Sequence, residues 1–170
     1  MLDEEAFLSL LKQQEGRLYR IALAITGSDA DAWDALQDAV EAALCNLHDL
    51  RGGEEAFPGW IKRIVVNRSL NLLRSRRRNV PMDPSTGLEA APDPLPLPQE
   101  SIAAREIWGL VQELDPGQRE VVALRYLGDL SLEEIAQRLE LPLGTAKSRL
   151  HRALVRLREQ VADEQRRIAP

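Results

Sequence analysis

An all-α chain, built as two small helical domains joined by a flexible Pro-rich linker with a helix-turn-helix in the C-terminal domain, is what three features of the sequence predict. Apolar residues recur at helical spacing over most of the 170 residues, while strand alternation is weak throughout. Residues 79–99, NVPMDPSTGLEAAPDPLPLPQ, hold six prolines and no sustained period, the composition of an extended tether rather than of a structured loop. Charge is also segregated. Residues 1–60 carry twelve acids and four bases, residues 61–80 seven bases and no acid, and residues 81–124 eight acids and two bases. The predicted domains are therefore 1–78 and 100–170, with 79–99 between them.

The first helical region covers about Asp3–Ile25, with an interruption expected near Gly16. The second runs from about Asp29 to His48. Trp33, Leu36, Val40, Leu44 and Leu47 fall on one side of it, read here as the core face. Asp31, Asp34, Asp38 and Glu41 fall opposite. Acids at that spacing repel one another, so helix stability does not account for them. A solvated polar face and a docking surface for a basic protein partner both remain open readings. Cys45 is expected as a partly buried thiol on this helix.

A third helix begins after Gly52–Gly53 and spans about Glu54 to Arg77. Phe57, Trp60, Ile61, Ile64 and Leu72 give it an apolar stripe, with Lys62, Arg63, Asn67 and Arg74 outside or beside it. The run Arg74–Arg78 (RSRRR) closes the domain as a helix-terminal charge cluster or a phosphate contact. If the linker extends as polyproline at ~3.1 Å per residue, it spans on the order of 60 Å.

Helices resume at about Glu100–Leu114 and Pro116–Tyr126. Ser131–Arg158, SLEEIAQRLELPLGTAKSRLHRALVRLR, then has the outline of a helix-turn-helix. Ser131 with Glu134 forms a capping box. Leu132, Ile135, Ala136 and Leu139 give the first helix its apolar face, and Pro142 and Gly144 punctuate the turn. Gly144–Arg158 holds five bases and no acid. Advancing about 100° per residue gathers Ala146, Leu150, Ala153, Leu154 and Leu157 on an inner face. Ser148, His151, Arg152 and Val155 fall on the outer face, flanked by Thr145 and Lys147. Arg and Lys can pair with guanine edges, and Ser and Thr with bases or phosphates. Arg149 and Arg156 lie beside the inner stripe, within reach of phosphates or internal carboxylates.

Net charge is −5, so two basic islands in an acidic chain imply two separate contacts with a polyanion rather than a nonspecific coat. One cysteine and two histidines exclude an internal disulfide framework and a structural zinc site. No signal peptide or membrane-spanning run is visible, and a reducing cytoplasm is expected. No carboxylate pair, Gly-rich phosphate loop or nucleophile triad stands out. Neither catalysis nor a cofactor is expected.

Four blocks in order, LYRIALAITG, DAWDALQDAV, FPGWIKRIVVNRSLNLLRSRRR and LDPGQREVVALRYLGDLSLEEIAQRLELPLGTAKSRLHRALVRLR, resemble the extracytoplasmic-function (ECF, group IV) sigma factors. Those are the small two-domain initiation subunits of bacterial RNA polymerase. The resemblance spans about Leu18 to Arg158. It implies a factor that binds core RNA polymerase (the β′ clamp helices and β), directs it to −35 and −10 promoter elements and assists melting. It places Asp34, Gln37 and Asp38 in the polymerase interface. Arg51, Lys62, Arg63 and Asn67 fall near the −10 element, and Arg125, Thr145, Lys147, Ser148, His151 and Arg152 at the −35 element. It also implies an anti-sigma factor as a further partner. Trp33 departs from the pattern, standing where DAEDLVQE-type motifs commonly carry an acid, and Leu50 stands where Phe or Tyr is frequent. A stand-alone helix-turn-helix regulator, with residues 1–78 as a ligand or dimerisation module, is the alternative.

Overall fold

The computed structural model describes residues 3–79 and 102–168, which fall in two compact units. Among the described residues there are helices and turns and no strand.

The first unit packs three helices against one another: α1 (Glu4–Thr26), α2 (Asp29–Cys45) and α3 (Gly53–Asn79). Asp3 caps α1, its carboxylate accepting the Ala6 amide at 2.8 Å, and Gly27 closes it in the left-handed region (φ 74°). That closure satisfies the Leu23 carbonyl at 2.8 Å, as a C-terminal glycine commonly does. The chain turns within one residue, since Ser28 already caps α2. The helix runs unbroken through Gly16. A single helical glycine costs only about 1 kcal/mol, which tertiary packing overrides. Leu18–Ile25 is buried without interruption, so this half of α1 forms the centre of the unit. Phe7 and Phe57, both 0% exposed, meet edge-to-face at 5.5 Å and join the start of α1 to the start of α3.

α2 is rolled relative to the face that its large residues predict. Its inner side is Ala32, Ala35, Leu36, Ala39 and Ala43, while Trp33 and Leu44 lie outside, each 38% exposed. Alanines let backbones approach closely, so an Ala-rich strip packs between two neighbouring helices where a Trp would hold them apart. Asp31, read as part of the acidic stripe, is buried on the inner side and paired with Arg76 near the end of α3. α2 stops at Cys45 rather than His48. The Asn46 side-chain amide donates to the Ala42 carbonyl at 2.7 Å, and Leu47–Asp49 forms a 3-10 turn. Cys45 is exposed rather than partly buried. α3 continues two residues past Arg77, taking Asn79 from the predicted linker. The remainder of 79–99 lies outside the described residues.

The second unit comprises α4 (Ile102–Gln112), α5 (Pro116–Val122), a π-helical turn (Ala123–Leu127), α6 (Leu132–Arg138) and α7 (Leu143–Ile168). The last helix packs on α4, α5 and α6. Val111, Leu114, Val122 and Ala153 form one core cluster, with Leu150 and Leu157 half-buried against it, and Val121, Leu124 and Ile135 are also fully buried. Pro116 starts α5 where its missing amide costs nothing. The predicted α-helix to Tyr126 instead widens after Val122. The Gly128 amide reaches back to Ala123 and the Leu130 amide to Leu124, at 2.9 and 3.0 Å. A Cβ at Gly128 would lie 2.8 Å from the Leu124 carbonyl oxygen, so only glycine fits this return. The Ser131–Glu134 capping box forms in full, at 3.1 and 2.8 Å. Glu140 takes a positive φ (56°), the Leu141 amide bonds to Ala136, and the Pro142 carbonyl receives the Thr145 and Ala146 amides. That turn sets the start of α7, which runs ten residues beyond Arg158 and is tied there to the turn after α4 by Gln160 Nε2 donating to Glu113 at 2.7 Å.

Candidate functional site: two charged faces on two units

α2 projects the acidic face. Asp34, Gln37, Asp38 and Glu41 are all exposed, and Gln37 Nε2 donates to Glu41 Oε1 at 3.3 Å. α2 contains no basic residue, so nothing on it neutralises these carboxylates. The sequence reading placed Asp34, Gln37 and Asp38 here, and the helix does bring them to one exposed side. Trp33 and Leu44 join them, which the reading missed because it assigned both to the core. The signal that could have found this is the run of alanines at 32, 35, 39 and 43, a second and closer-packing inner face.

Burial pushes the Asp31 carboxyl above the ordinary carboxylate range, with Asp34 adding to the rise and Arg76 pulling partly against both. A raised folded-state value means that the folded chain holds this proton more tightly than the unfolded chain does. Its contribution to stability is then present at low pH and is lost as pH rises through the folded value. Asp31→Asn is accordingly expected to melt no lower than the parent at pH 7. Any advantage of the variant should shrink on acidification, checked by thermal melts between pH 4 and 7. A clear loss of stability at pH 7 would mean that the Arg76 pair outweighs desolvation.

α7 projects the basic face. Lys147, Ser148, His151 and Arg152 are exposed, with Thr145 half-buried at the turn. Ser148 Oγ donates to the Thr145 carbonyl at 3.0 Å, and Arg152 Nε to the Ser148 carbonyl at 3.3 Å. These bonds lay the Arg152 stem along the helix and leave much of its guanidinium outward. Ala146 and Ala153, both 0% exposed, fix the inner side. Arg149 lies over Gly117, where a Cβ would meet its guanidinium at 2.9 Å, and Arg156 pairs with Asp115 at 3.6 Å. Both are therefore turned towards the unit's own residues. Arg125 is exposed on the π-helical turn, donating to the Leu130 carbonyl at 2.9 Å, on a different element from the α7 cluster.

The α3 candidates are less uniform. Arg63 and Asn67, four residues apart, share a side of the helix. Arg63 is exposed, whereas Lys62 and Asn67 are half-buried and each already has an interaction partner. Arg51 is exposed in the turn ahead of α3. Among the described residues, no cluster of three or more His, Cys, Asp or Glu side chains is placed to hold a metal ion. No helix among them is long and apolar enough to cross a membrane.

Comparison with known proteins gives this pair of faces its context. Residues 10–79 match the family described as Sigma-70 region 2, and residues 104–157 match Sigma-70, region 4. The chain is 31% identical over 166 residues to the ECF RNA polymerase sigma-E factor of Escherichia coli (strain K12), covering 89% of this chain and 84% of that one. The chain belongs to the ECF family of RNA polymerase sigma factors. A second sigma factor of the family, ECF RNA polymerase sigma factor SigW of Bacillus subtilis (strain 168), is 28% identical over 173 residues, 95% of this chain and 91% of that one. The fold is shared with the sigma factor RpoE from Bartonella quintana, solved in complex with the anti-sigma factor NepR. That match has a TM-score of 0.55 and 24% identity, over 94% of this chain and 98% of that one. As an ECF sigma factor the protein is a transcription initiation factor, and its two units carry regions 2 and 4.

Proposed function

We propose that the two charged faces divide the work of initiation between the two units. The exposed face of α2, with Asp34, Gln37 and Asp38, docks on a basic surface of core RNA polymerase, the β′ clamp helices. The observation that carries this is a stripe of exposed, mutually repelling carboxylates on a helix without a single base. Such a stripe costs the free protein a few tenths of a kcal/mol per like-charged pair, a cost that a cationic partner would offset. In the same unit Arg51, Lys62, Arg63 and Asn67 attend the −10 element, and region 2 holds melted non-template bases there. Residues 100–170 read the −35 element. Lys147, Ser148, His151 and Arg152 meet base edges and phosphates, Thr145 sits at the helix start, and Arg125 takes the backbone. Residues 79–99 tether the two. None of this asks for covalent chemistry from the chain itself, and its place of work is the cytoplasm, with the polymerase. An anti-sigma factor, as in the Bartonella complex, is the partner that would hold it inactive.

Run-off transcription from a promoter library with core polymerase tests this reading. Wild-type chain is expected to bind core and start transcripts at one −35/−10 class. Lys147→Ala and Arg152→Ala should each lose about 1–3 kcal/mol of −35 discrimination with core binding unchanged. Failure of the wild-type chain to bind core, or discrimination untouched by both substitutions, would sink the corresponding half of the proposal.

A further inference from the structure

Trp33 lies on the solvent side of α2 with 38% of its surface exposed, although an alanine strip on the same helix supplies the packing side. Keeping an indole in water forgoes the stabilisation that burial would bring. Its position is nonetheless held firmly. Tyr19, buried in α1, packs against it with ring centroids 4.7 Å apart and 35° between planes. The Tyr19 hydroxyl in turn donates to Asp29 at the start of α2. Burial, and then that bond, push the Tyr19 pKa above the ordinary phenol range, so the hydroxyl remains a donor. Trp33 is thus an exposed aromatic on a rigid support.

Its neighbours determine what it suits. At about 100° per residue, Val40, Leu44 and Gln37 fall within about 40° of Trp33, with Glu41 and Asp34 further round on the acidic side. The indole therefore stands at the edge of the acidic stripe. The negative face of the ring and the adjoining carboxylates favour the same charge. A guanidinium can lie flat on an indole while its N–H groups reach a carboxylate, which an ammonium does less well.

We infer that Trp33 is an aromatic anchor on the polymerase-docking face, receiving the guanidinium of an arginine on the basic surface of core RNA polymerase. The inference rests on the docking reading of α2 and adds to it the residue that supplies grip rather than charge. Tryptophan is among the residues whose truncation at the centre of an interface costs most.

Full-length variants titrated against core RNA polymerase by fluorescence anisotropy test it, with thermal melts alongside. Trp33→Ala is expected to weaken binding about tenfold and Trp33→Phe much less. Trp33→Leu, which keeps apolar area without a ring, should resemble Trp33→Ala; binding equal to the parent would overturn the cation contact. Hydroxyl-radical footprinting of the unmutated chain gives a readout that folding defects cannot affect. Trp33 should be protected from oxidation in the core complex, and undiminished oxidation overturns the inference. If Trp33→Ala binds normally while Asp34→Arg with Asp38→Arg does not, the anchor is wrong and the docking face stands. If neither weakens binding, the docking face itself is wrong.

Discussion

Asp34→Arg combined with Asp38→Arg is expected to abolish binding to core RNA polymerase while leaving the protein as stable as before, or slightly more so. In the free protein, reversing both charges exchanges one like-charged pair four residues apart for another, while the new charge at position 38 gains Glu41 three residues on, a pair worth about 0.2–0.5 kcal/mol. Both side chains are exposed, so replacing them disturbs no packing. In a complex, removing one carboxylate from a buried charge pair costs about 2–5 kcal/mol, much of it from the cation left unpaired. Two reversals together then weaken binding by on the order of a thousandfold or more. Anisotropy titration against core, with a melt of each variant, reads both quantities. Because −35 reading is assigned to the other unit, promoter-duplex binding by the double variant should persist. A variant that melts like the parent and still binds core at parental affinity would remove α2 from the interface.

Phe57→Ala carries the largest expected cost in stability. Phe57 is 0% exposed, meets Phe7 edge-to-face at 5.5 Å and lies 6.3 Å from Trp60. Truncating a fully buried Phe costs about 3–5 kcal/mol through lost transfer energy and the cavity left behind. A domain of this size has only about 5–15 kcal/mol in total. With the chain in two compact units, calorimetry should resolve the damage. The transition of the first unit is expected to fall by roughly 15 °C or more, at about 4–8 °C per kcal/mol, while that of the second stays in place. A drop of only a few degrees would show that α1 and α3 close around the gap. Core binding should fail at temperatures where the first unit is unfolded and recover on cooling, which separates this variant from the charge reversal.

The contrast between the two ends of the chain shows what the sequence carries openly. In the helix-turn-helix, the signals are local. Ser131 and Glu134 cap each other within one turn, Pro142 stands just ahead of α7, and Ala146 and Ala153 mark the inner side at helical spacing. The outer face of α7 follows from those positions alone. α2 is different. Two apolar strips run along it, one of large residues and one of alanines, and periodicity does not say which is buried. Large residues are the usual choice for a core, yet the tight space between α1 and α3 takes the alanines. That choice turned Trp33 and Leu44 outward and carried Asp31 inward to Arg76. The acidic stripe thereby lost one member and gained an aromatic. The π-helical turn at Ala123–Leu127 was equally hidden, because the close return of Leu130 to Leu124 at Gly128 sets it rather than any residue preference within it.

By itself, then, the sequence determined the helices, the caps that begin and end many of them, the separation of charge and the resemblance that pointed to a sigma factor. All of these depend on neighbours within a few residues or on order along the chain. Only the tertiary structure decided how each helix is rolled about its own axis, because that depends on the gap left by other helices. On α2 that roll leaves three carboxylates, an amide and an indole facing out. Those are the groups from which the proposed grip on polymerase is built.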